Sequence, residues 1–230
     1  MKEYIYETHL HTMPVSRCGR ADVRENLTFY KEMGYDGVFI TNHFIDGNMT
    51  CNEPLSYEEK INFYFSDYEL GVEIGKELGI KVFPGLESTY QGIDFLIYGL
   101  DKEWFLAHEE ITTMKQTEKL KYMSDAGALI IHAHPFREAS YIDHIQLFPR
   151  HVHGVEIYNA CRTDFENAMA EQYASAYGLL PFAGSDNHFA SNQMKLSGMK
   201  SPVPIESVDQ FISMVKGSEL TVYRLDRNEE

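Results

Sequence analysis

The sequence lacks the features that would place it in a membrane, secreted or disulfide-rich class. Its 230 residues contain no apolar run long enough to cross a membrane, and the amino terminus enters a strand-like segment without the apolar core of a signal peptide. Cysteine is scarce: Cys18, Cys51 and Cys161 are odd in number and widely spaced, which argues against a disulfide framework or a structural zinc finger. We therefore expect a cytoplasmic protein that does not associate with membranes.

Basic residues are also scarce. Lys and Arg total 20 against 35 Asp and Glu, so the formal net charge is −15. A nucleic-acid footprint requires a basic face, and this balance argues against DNA or RNA as the partner. It does not exclude a small phosphorylated substrate, because bound cations would make a pocket locally positive. No coiled-coil pattern is present, and the sequence predicts no oligomeric state.

The apolar residues are present in the proportion of a globular protein with a sizeable core, 43% of the chain. No linker or repeat stands out, so we expect one domain over residues 1–230. Apolar strand-like runs alternate with amphipathic segments, which favours a parallel sheet covered by helices. The predicted strands are 4–7, 37–40, 81–87, 94–99, 128–131, 154–159 and 179–183, with a last short strand at 220–223.

Three predicted helices begin with a capping pair, in which a small polar residue is followed three positions later by Glu. These pairs are Asp22 with Glu25, Ser56 with Glu59, and Thr163 with Glu166. Two further helices are predicted, one over 115–126 and one carrying the apolar series Ile205, Val208, Ile212 and Val215.

Imidazoles and carboxylates recur where the predicted strands end. In a strand, residues i and i+2 share a face, so His9 and His11 aim two imidazoles into one space. The other residues at such ends are His43, Glu87, His134, Asp186 and His188. When parallel strands covered by helices form a barrel, their carboxyl ends meet on one side of the barrel, and active sites form there. This recurrence predicts a metal site.

The ordered motifs resemble the PHP (polymerase and histidinol phosphatase) superfamily of metal-dependent phosphoesterases. The matching segments cover nearly the whole chain: His-Leu-His-Thr at 9–12, Thr-Asn-His at 41–43, Gly-Leu-Glu at 85–87, His-Pro-Phe-Arg at 134–137, Gly-Val-Glu-Ile-Tyr-Asn at 154–159 and Gly-Ser-Asp-Asn-His at 184–188. Each segment alone is a modest signal, but the ordered set is specific. The resemblance implies a distorted (β/α)7 barrel of parallel strands with outer helices, in agreement with the seven strands counted before the last short one.

The resemblance also implies two or three clustered divalent metals. It assigns His9, His11, Glu87 and Asp186 to the first metal, with Glu87 bridging to a second metal held by His134. It assigns His43 and His188 to a third. Imidazole and carboxylate together suit zinc, manganese or iron. A bridging carboxylate can hold two cations roughly 3.5–4 Å apart, and such a pair activates a water molecule for attack on phosphorus.

Two positions depart from the family pattern. Relatives commonly carry a His where this chain has Asp94, as the partner of His134 at the second metal. Asp94 can ligate through oxygen, and we include it among the metal ligands. Relatives also often place Asp or His just after the first motif, where this chain reads Val-Ser-Arg-Cys-Gly-Arg at 15–20. The third site is therefore weaker, absent or completed by water. Cys18 approaches a metal or is simply a reduced thiol.

A phosphate also needs cationic donors outside the metals, and Arg can grip two phosphate oxygens. Three arginines follow predicted strands on the side of the site, and we rank Arg20 and Arg137 above Arg162. Asn159 is expected to line the pocket, with Glu156 as a structural carboxylate behind the ligands. His132 shares a predicted strand face with His134 and is either a ligand or a supporting partner.

The leading functional hypothesis is hydrolysis of a small phosphomonoester, similar to a histidinol phosphatase, by metal-activated water. A phosphodiesterase or 3′–5′ exonuclease is an alternative within the same superfamily. An amidohydrolase also starts with His-x-His, but that family commonly bridges its metals with a modified lysine, and none is placed suitably here. A non-catalytic metal-binding regulatory module is the alternative from another class.

Overall fold

A computed structural model describes residues 2–50 and 54–227 of the chain. Within these ranges ten strands form two five-stranded sheets. The strands are β1 (Tyr4–Leu10), β2 (Gly37–Ile40), β3 (Lys81–Pro84), β4 (Leu86–Tyr90), β5 (Ile93–Tyr98), β6 (Leu129–Ala133), β7 (Gly154–Asn159), β8 (Leu180–Gly184), β9 (Lys195–Ser201) and β10 (Thr221–Asp226). One sheet has the order β10-β9-β1-β2-β3, and the other has β4-β5-β6-β7-β8.

Six α-helices accompany the sheets in the described ranges: α1 (Val23–Glu32), α2 (Tyr57–Leu78), α3 (Lys102–Ala107), α4 (Gln116–Asp125), α5 (Asp164–Tyr177) and α6 (Val208–Lys216). The predicted capping pairs are confirmed. The Asp22 side chain accepts from the Glu25 amide, and complete capping boxes at Ser56 and Thr163 begin α2 and α5. Each of these caps satisfies amide groups that the first helical turn leaves without partners. None of the described helices is both long and apolar enough to cross a membrane.

The sequence predicts a barrel of parallel strands. The structure has a mixed α/β fold instead, and the described strands do not close into a barrel. The predicted strand 81–87 is broken at Gly85, so that β3 joins one sheet and β4 joins the other. β4 then pairs with β5 in antiparallel fashion through a two-residue turn, Gln91-Gly92, whose φ angles are 50° and 82°. Two consecutive positive φ angles match the twist of a hairpin and reverse the chain at once, which excludes a parallel crossover here.

Four strand pairs are antiparallel in all: β4 with β5, β5 with β6, β1 with β9, and β9 with β10. The four parallel pairs are β1 with β2, β2 with β3, β6 with β7, and β7 with β8. The strand β9 is absent from the sequence prediction, because Lys195–Ser201 shows neither a continuous apolar run nor strict alternation.

The two sheets share an apolar core that α6 completes. Phe211 of α6 packs against Phe39, Tyr98 and Phe182, with ring centroids 4.3, 5.6 and 6.1 Å away. These partners come from β2, β5 and β8, so a single aromatic side chain contacts both sheets. Aromatic burial of this kind fixes the spacing between the sheets.

The sheets also meet directly at their ligand-bearing ends. A parallel bridge pairs Leu10 with Asn187, and the His11 amide donates to the Asn187 carbonyl at 3.0 Å. A second parallel bridge pairs His43 with Glu87, supported by the Phe44 amide donating to the Glu87 carbonyl at 2.8 Å. Backbone hydrogen bonds at these two places therefore bring ligand residues of one sheet against those of the other.

We predict that alanine is tolerated at Gly71 of α2 but not at Gly75. A Cβ at Gly75 would lie 2.6 Å from the backbone oxygen of Ile80, whereas at Gly71 it would meet only side-chain ends, the closest being Ile40 Cδ1 at 3.0 Å. Each substitution gains about 0.5–1 kcal/mol of helix propensity. Overpacking against fixed backbone costs about 1–3 kcal/mol. Urea denaturation should give G75A a lower unfolding free energy than wild type and G71A one near wild type. Equal values for the two variants would contradict this packing.

Candidate metal centre

Six of the eight predicted ligands line one cavity of about 570 Å³, and His9 and His11 are buried behind its wall. They come from both sheets: His9 lies near the end of β1, His11 and His43 follow β1 and β2, Glu87 and Asp94 lie in β4 and β5, His134 follows β6, and Asp186 and His188 follow β8. Three groups of donor atoms within this set, and a fourth that also includes Cys18, are close enough to hold an ion. The structure thus brings together all eight residues that the sequence nominated as ligands.

Glu87 lies at the centre of the cluster. Its Oε1 is 3.3 Å from His9 Nε2 and 3.2 Å from His134 Nε2. Its Oε2 is 3.3 Å from His11 Nε2 and 2.9 Å from His43 Nδ1. One carboxylate therefore faces four imidazoles, two on each oxygen, which is the placement that a bridging ligand requires.

Asp186 faces the same space from the other side. Its Oδ1 is 3.5 Å from His9 Nε2 and 3.3 Å from His11 Nε2, and its Oδ2 is 3.9 Å from His134 Nε2. Both Asp186 and His134 are held at positive φ, 54° and 25°. Non-glycine residues adopt such angles only where the surrounding structure enforces them, and such strain is common at functional sites.

Glu156 of β7 orients His9. The His9 Nδ1 lies 2.8 Å from Glu156 Oε1, so Nδ1–H donates to the carboxylate and the lone pair on Nε2 faces the cluster. Glu156 Oε2 accepts from the His134 amide at 3.0 Å and from Asn159 Nδ2 at 2.9 Å. Asn159 also donates to Asp186 Oδ2 at 3.2 Å. Asn159 is fully buried behind the ligands and is not part of the cavity wall, contrary to the prediction that it lines the pocket.

A second buried network orients His11. Its Nδ1 lies 3.1 Å from Ser16 Oγ, which donates to Asn42 Oδ1 at 2.8 Å. Asn42 donates to Asp67 Oδ2 of α2 at 3.1 Å. The same Ser16 oxygen accepts from the His43 amide at 2.9 Å. One serine thereby connects the loops that follow β1 and β2, and it leaves Nε2 of His11 free as a donor to an ion.

Asp94 and Arg137 form an ion pair beside His134, the imidazole that the family resemblance assigns to a second metal. Asp94 Oδ2 is 2.9 Å from Arg137 Nη2 and 3.9 Å from His134 Nε2, and its Oδ1 accepts from Thr89 Oγ1 at 2.6 Å. Arg137 also donates to the Gly92 carbonyl at 2.9 Å, within the β4–β5 turn. Burial and the neighbouring Glu87 raise the pKa of Asp94, although Arg137 opposes this shift.

The charge distribution favours ionised carboxylates at the centre. Burial alone would raise the pKa of Glu87, but His43 and His9 hold it well below its usual range. Burial acts on Asp186 in the same way, and His9 and His188 likewise hold its pKa well below its usual range. Burial and the neighbouring His188 lower the pKa of His11 to about 3, so its ring is neutral at physiological pH.

These residues fit divalent ions. His43 Nδ1 and Glu87 Oε2 are buried and only 2.9 Å apart, yet neither has a hydrogen-bond partner among the described residues. Buried polar atoms left in this way are costly unless something else satisfies them. An ion between imidazole and carboxylate donors does so, and the mixed nitrogen and oxygen donor set suits transition metals such as zinc, manganese or iron.

The structure adds Cys18 to the donors. Its sulfur forms a group with His11, His43 and His188 in which all ligand atoms lie within 4.8 Å of one another. The sequence reveals only that Cys18 follows the first motif; the loop geometry brings its sulfur to the cluster. Cys18 and Cys161 are free thiols, and Cys51 lies outside the described residues.

The three candidate arginines differ in their position relative to the cavity. Arg137 and Arg162 both line the cavity, and the Nε of each is buried without a hydrogen-bond partner in the described structure. Arg20 is exposed, and its side chain donates to the Arg17 carbonyl at 3.4 Å. It is not part of the cavity wall, whereas Arg162, which the sequence ranking placed third, is.

His132 does not face the cluster. It stacks on Phe95 with centroids 5.2 Å apart, and neither ring nitrogen has a hydrogen-bond partner among the described residues. The expected strand alternation fails because β6 ends at Ala133 and the positive φ of His134 turns its side chain away from that of His132. His153 is half-buried, and its Nδ1 accepts from the Ile130 amide at 3.0 Å.

No family model and no curated protein matches the sequence. Several solved structures share its fold. A two-domain protein from Bacteroides vulgatus containing a predicted PHP-like metal-dependent phosphoesterase superposes with a TM-score of 0.68 at 14% identity, over 96% of this chain and 65% of that chain. A protein from Bifidobacterium adolescentis provisionally assigned as a metal-dependent phosphoesterase gives a TM-score of 0.55 at 12% identity, over 80% and 88% of the two chains.

An amidohydrolase from Chromobacterium violaceum, solved with bound sulfate and no metal, also matches. Its TM-score is 0.53 at 12% identity, over 98% of this chain and 99% of that chain. These likenesses show a shared fold. The PHP resemblance drawn from the motifs is thereby confirmed at the level of the fold.

Glu156→Gln should weaken metal binding while leaving the protein folded. The amide that replaces one oxygen would face either the His9 Nδ1–H or the His134 and Asn159 donors, so one set of hydrogen bonds is lost. Changes to residues that support metal ligands typically cost about 10–100-fold in affinity. Competition with a chromophoric chelator measures the loss. The exposed variant Glu77→Gln serves as the control, and wild-type affinity in E156Q would contradict the role given to Glu156.

His132→Phe should stabilise the protein without loss of metal. It removes two buried nitrogens that have no partner among the described residues, a penalty of about 1–3 kcal/mol. His153→Phe is the contrasting variant and should destabilise, because it strips the Ile130 amide of its acceptor. Burial, assisted by His134, lowers the pKa of His132 from 6.5 to about 3.

Between about pH 6.5 and 3, His132 is therefore protonated in the unfolded chain but neutral in the native state. Wild-type stability should fall as the pH drops from about 6.5 towards 3, and this component should be missing in H132F. Denaturant titrations of both proteins across that range, with metal analysis at neutral pH, check both expectations. Metal loss in H132F would identify His132 as a ligand after all.

Proposed function

We propose that this chain, whose fold and ordered motifs are those of the PHP superfamily, is a metal-dependent hydrolase of small phosphate monoesters. The observation that carries the proposal is the Glu87 carboxylate, which faces four imidazoles at 2.9–3.3 Å inside a cavity. Bound divalent ions supply the positive charge and activated water that phosphoester hydrolysis requires.

The chain's own residues would hold two or three ions of zinc, manganese or iron. His9, His11, Glu87 and Asp186 form the first set, and Glu87, His134 and Asp94 contribute to the second. His43 and His188 belong to a third. The cavity wall carries the carboxylates of Asp46, Glu87, Asp94 and Asp186 and the guanidinium groups of Arg137 and Arg162, and Arg137 is paired with Asp94. A phosphate dianion would be repelled from this surface unless cations were bound.

Arginines position the substrate phosphate in this proposal. Arg137 and Arg162 line the cavity, and each has a buried Nε–H, unpaired within the described residues, to offer to a phosphate oxygen. Arg20 remains a candidate only for the approach to the site, because its side chain is exposed. Asn159 acts on Asp186 and Glu156 through hydrogen bonds, and so it positions ligands instead of touching the substrate.

The limited cavity volume of about 570 Å³ and the net charge of −15 support a small phosphomonoester over a nucleic-acid strand. The sulfate in the Chromobacterium violaceum structure is a tetrahedral anion like phosphate, which supports an anion site in this fold. An amidohydrolase function has weaker support. The Glu87 carboxylate lies where a bridging ligand is needed. The buried Lys119 is not part of the cavity wall, and its amine is paired with the wall residue Asp46 at 2.5 Å.

The test is hydrolysis of p-nitrophenyl phosphate by protein reconstituted with zinc, manganese or iron(II), compared with bis-p-nitrophenyl phosphate and an anilide. We expect the monoester to be the best substrate. Glu87→Gln should lower the rate at least about 100-fold, because ion charge stabilisation is worth several kcal/mol. Glu77→Gln, exposed on α2, should retain full activity. Preferential cleavage of the diester would favour the phosphodiesterase alternative, and no hydrolysis of any phosphoester by metal-replete protein would refute the proposal.

A further inference from the structure

The sulfur of Cys18 lies in a group of four donors with His11, His43 and His188, all within 4.8 Å of one another. Three of the four residues are imidazoles that line or approach the cavity, and Cys18 itself is part of the cavity wall. Such spacing is what one ion needs, because zinc binds sulfur at about 2.3 Å and imidazole nitrogen at about 2.0–2.1 Å.

The loop that carries Cys18 is fixed on both sides. The Arg17 amide donates to the Asn48 carbonyl at 3.0 Å, and the Arg20 amide donates to the His188 carbonyl at 2.8 Å. The intervening Gly19 leaves no room for a side chain, since a Cβ there would lie 2.9 Å from the Thr12 carbonyl carbon. The backbone thus ties Cys18 to the same segment that presents His188.

His11 is already engaged elsewhere in the cluster. Its Nδ1 faces Ser16, and its Nε2 lies 3.3 Å from both Glu87 and Asp186. It therefore belongs to the first metal. The group that remains is Cys18, His43 and His188, and the Nδ1 of His43 is a buried nitrogen without a hydrogen-bond partner in the described structure.

We propose that Cys18 is a thiolate ligand which, with His43 and His188, completes a third cation site of two imidazole nitrogens and one sulfur. Binding forms a sulfur–metal bond and releases the thiol proton to solvent. A sulfur donor favours soft or borderline ions, so this position should select zinc, cobalt or cadmium over manganese. The inference rests on the proposed metal centre but not on the reaction that the centre performs.

Cys161 is the matched control within the chain. Its Sγ donates to the Asp186 carbonyl at 3.2 Å and accepts from Gln193 Nε2 at 3.0 Å, so its hydrogen-bonding capacity is used. It is in none of the candidate donor groups of the described residues. Both residues are free thiols, but we expect only Cys18 to bind a metal ion.

The experiment loads metal-free full-length protein with Co(II) and records its near-ultraviolet spectrum and metal stoichiometry. Wild type and Cys161→Ser should show a thiolate-to-cobalt charge-transfer band that saturates with the third ion. Cys18→Ser should lose the band and bind the third ion at least about tenfold more weakly, given the losses seen when even supporting residues are changed. Cys18→Asp should restore third-site occupancy without the band and shift the preference towards manganese.

A second measurement needs no variant. Iodoacetamide labelling, followed by mass spectrometry of separate peptides, should show zinc protecting Cys18 more than Cys161. A wild-type protein that takes up cobalt without the band, or a C18S protein that keeps it, overturns the assignment, as does failure to bind any ion. Activity is scored separately: a band without phosphatase activity defeats the proposed function alone, and activity without the band defeats the Cys18 ligand alone.

Discussion

The burial of the Glu87 carboxylate among four imidazoles is the interaction on which the site depends. The Glu87 side chain is almost fully buried, so its negative charge must be compensated by the groups around it. His9 and His11 come from the end of β1, His43 follows β2 and His134 follows β6, and each is within 3.3 Å of a Glu87 oxygen. Imidazole can compensate a carboxylate either as a protonated partner or as a co-ligand of a shared ion. If the imidazoles and Glu87 share an ion, the lone pairs of all these groups point into one space. His43 Nδ1 and Glu87 Oε2, which have no hydrogen-bond partner among the described residues, are placed in this way.

The fold departs from regular barrel geometry where it delivers this carboxylate. Gly85 separates β3 from β4, and a side chain there would approach Thr41 and the Tyr98 ring at 2.8–3.0 Å. At this break the chain leaves the sheet of β3 and enters the sheet of β4, and Glu87 lies in β4 just after the break. The Gln91-Gly92 turn then returns β5 alongside β4, which sets Asp94 opposite Thr89 and within reach of Arg137. A parallel crossover in the same place would have carried Asp94 away from the second metal position.

The sequence predicts which side chains cluster better than it predicts the sheets, for a physical reason. The clustering follows from a local rule, that residues after the carboxyl ends of strands point into a common space. His43, His134 and Asp186 obey it, whereas Glu87 lies near the start of β4. Strand direction depends on the turn, and Gln-Gly is a weaker hairpin signal than Asn-Gly or Asp-Gly. The strand β9 escapes detection because its pairing partners β1 and β10 supply the order that its own composition does not.

Two histidines and a cysteine show where local rules stop. Strand alternation places His132 beside His134, but it holds only while the strand continues, and β6 ends between them. Cys18 joins the cluster although no local rule predicts it, because a loop has no periodic pattern of side-chain directions. Its place in the cluster depends on hydrogen bonds to residues about 30 and about 170 positions away in the chain, Asn48 and His188. Such contacts are set by the assembled fold and have no signature in a single sequence.

The donors are held by protein contacts that do not need an ion. Glu156 fixes His9, Ser16 fixes His11, and backbone bridges fix the strand ends that carry His43 and Glu87. This differs from small zinc domains, in which the metal organises an otherwise unfolded chain. Preorganisation has a cost, since carboxylates and strained backbone at His134 and Asp186 are kept in place by the surrounding fold. The aromatic core around Phe211 packs the two sheets together, and the side chains of the candidate metal centre come from both sheets, so the packing between the sheets also sets the geometry of the site.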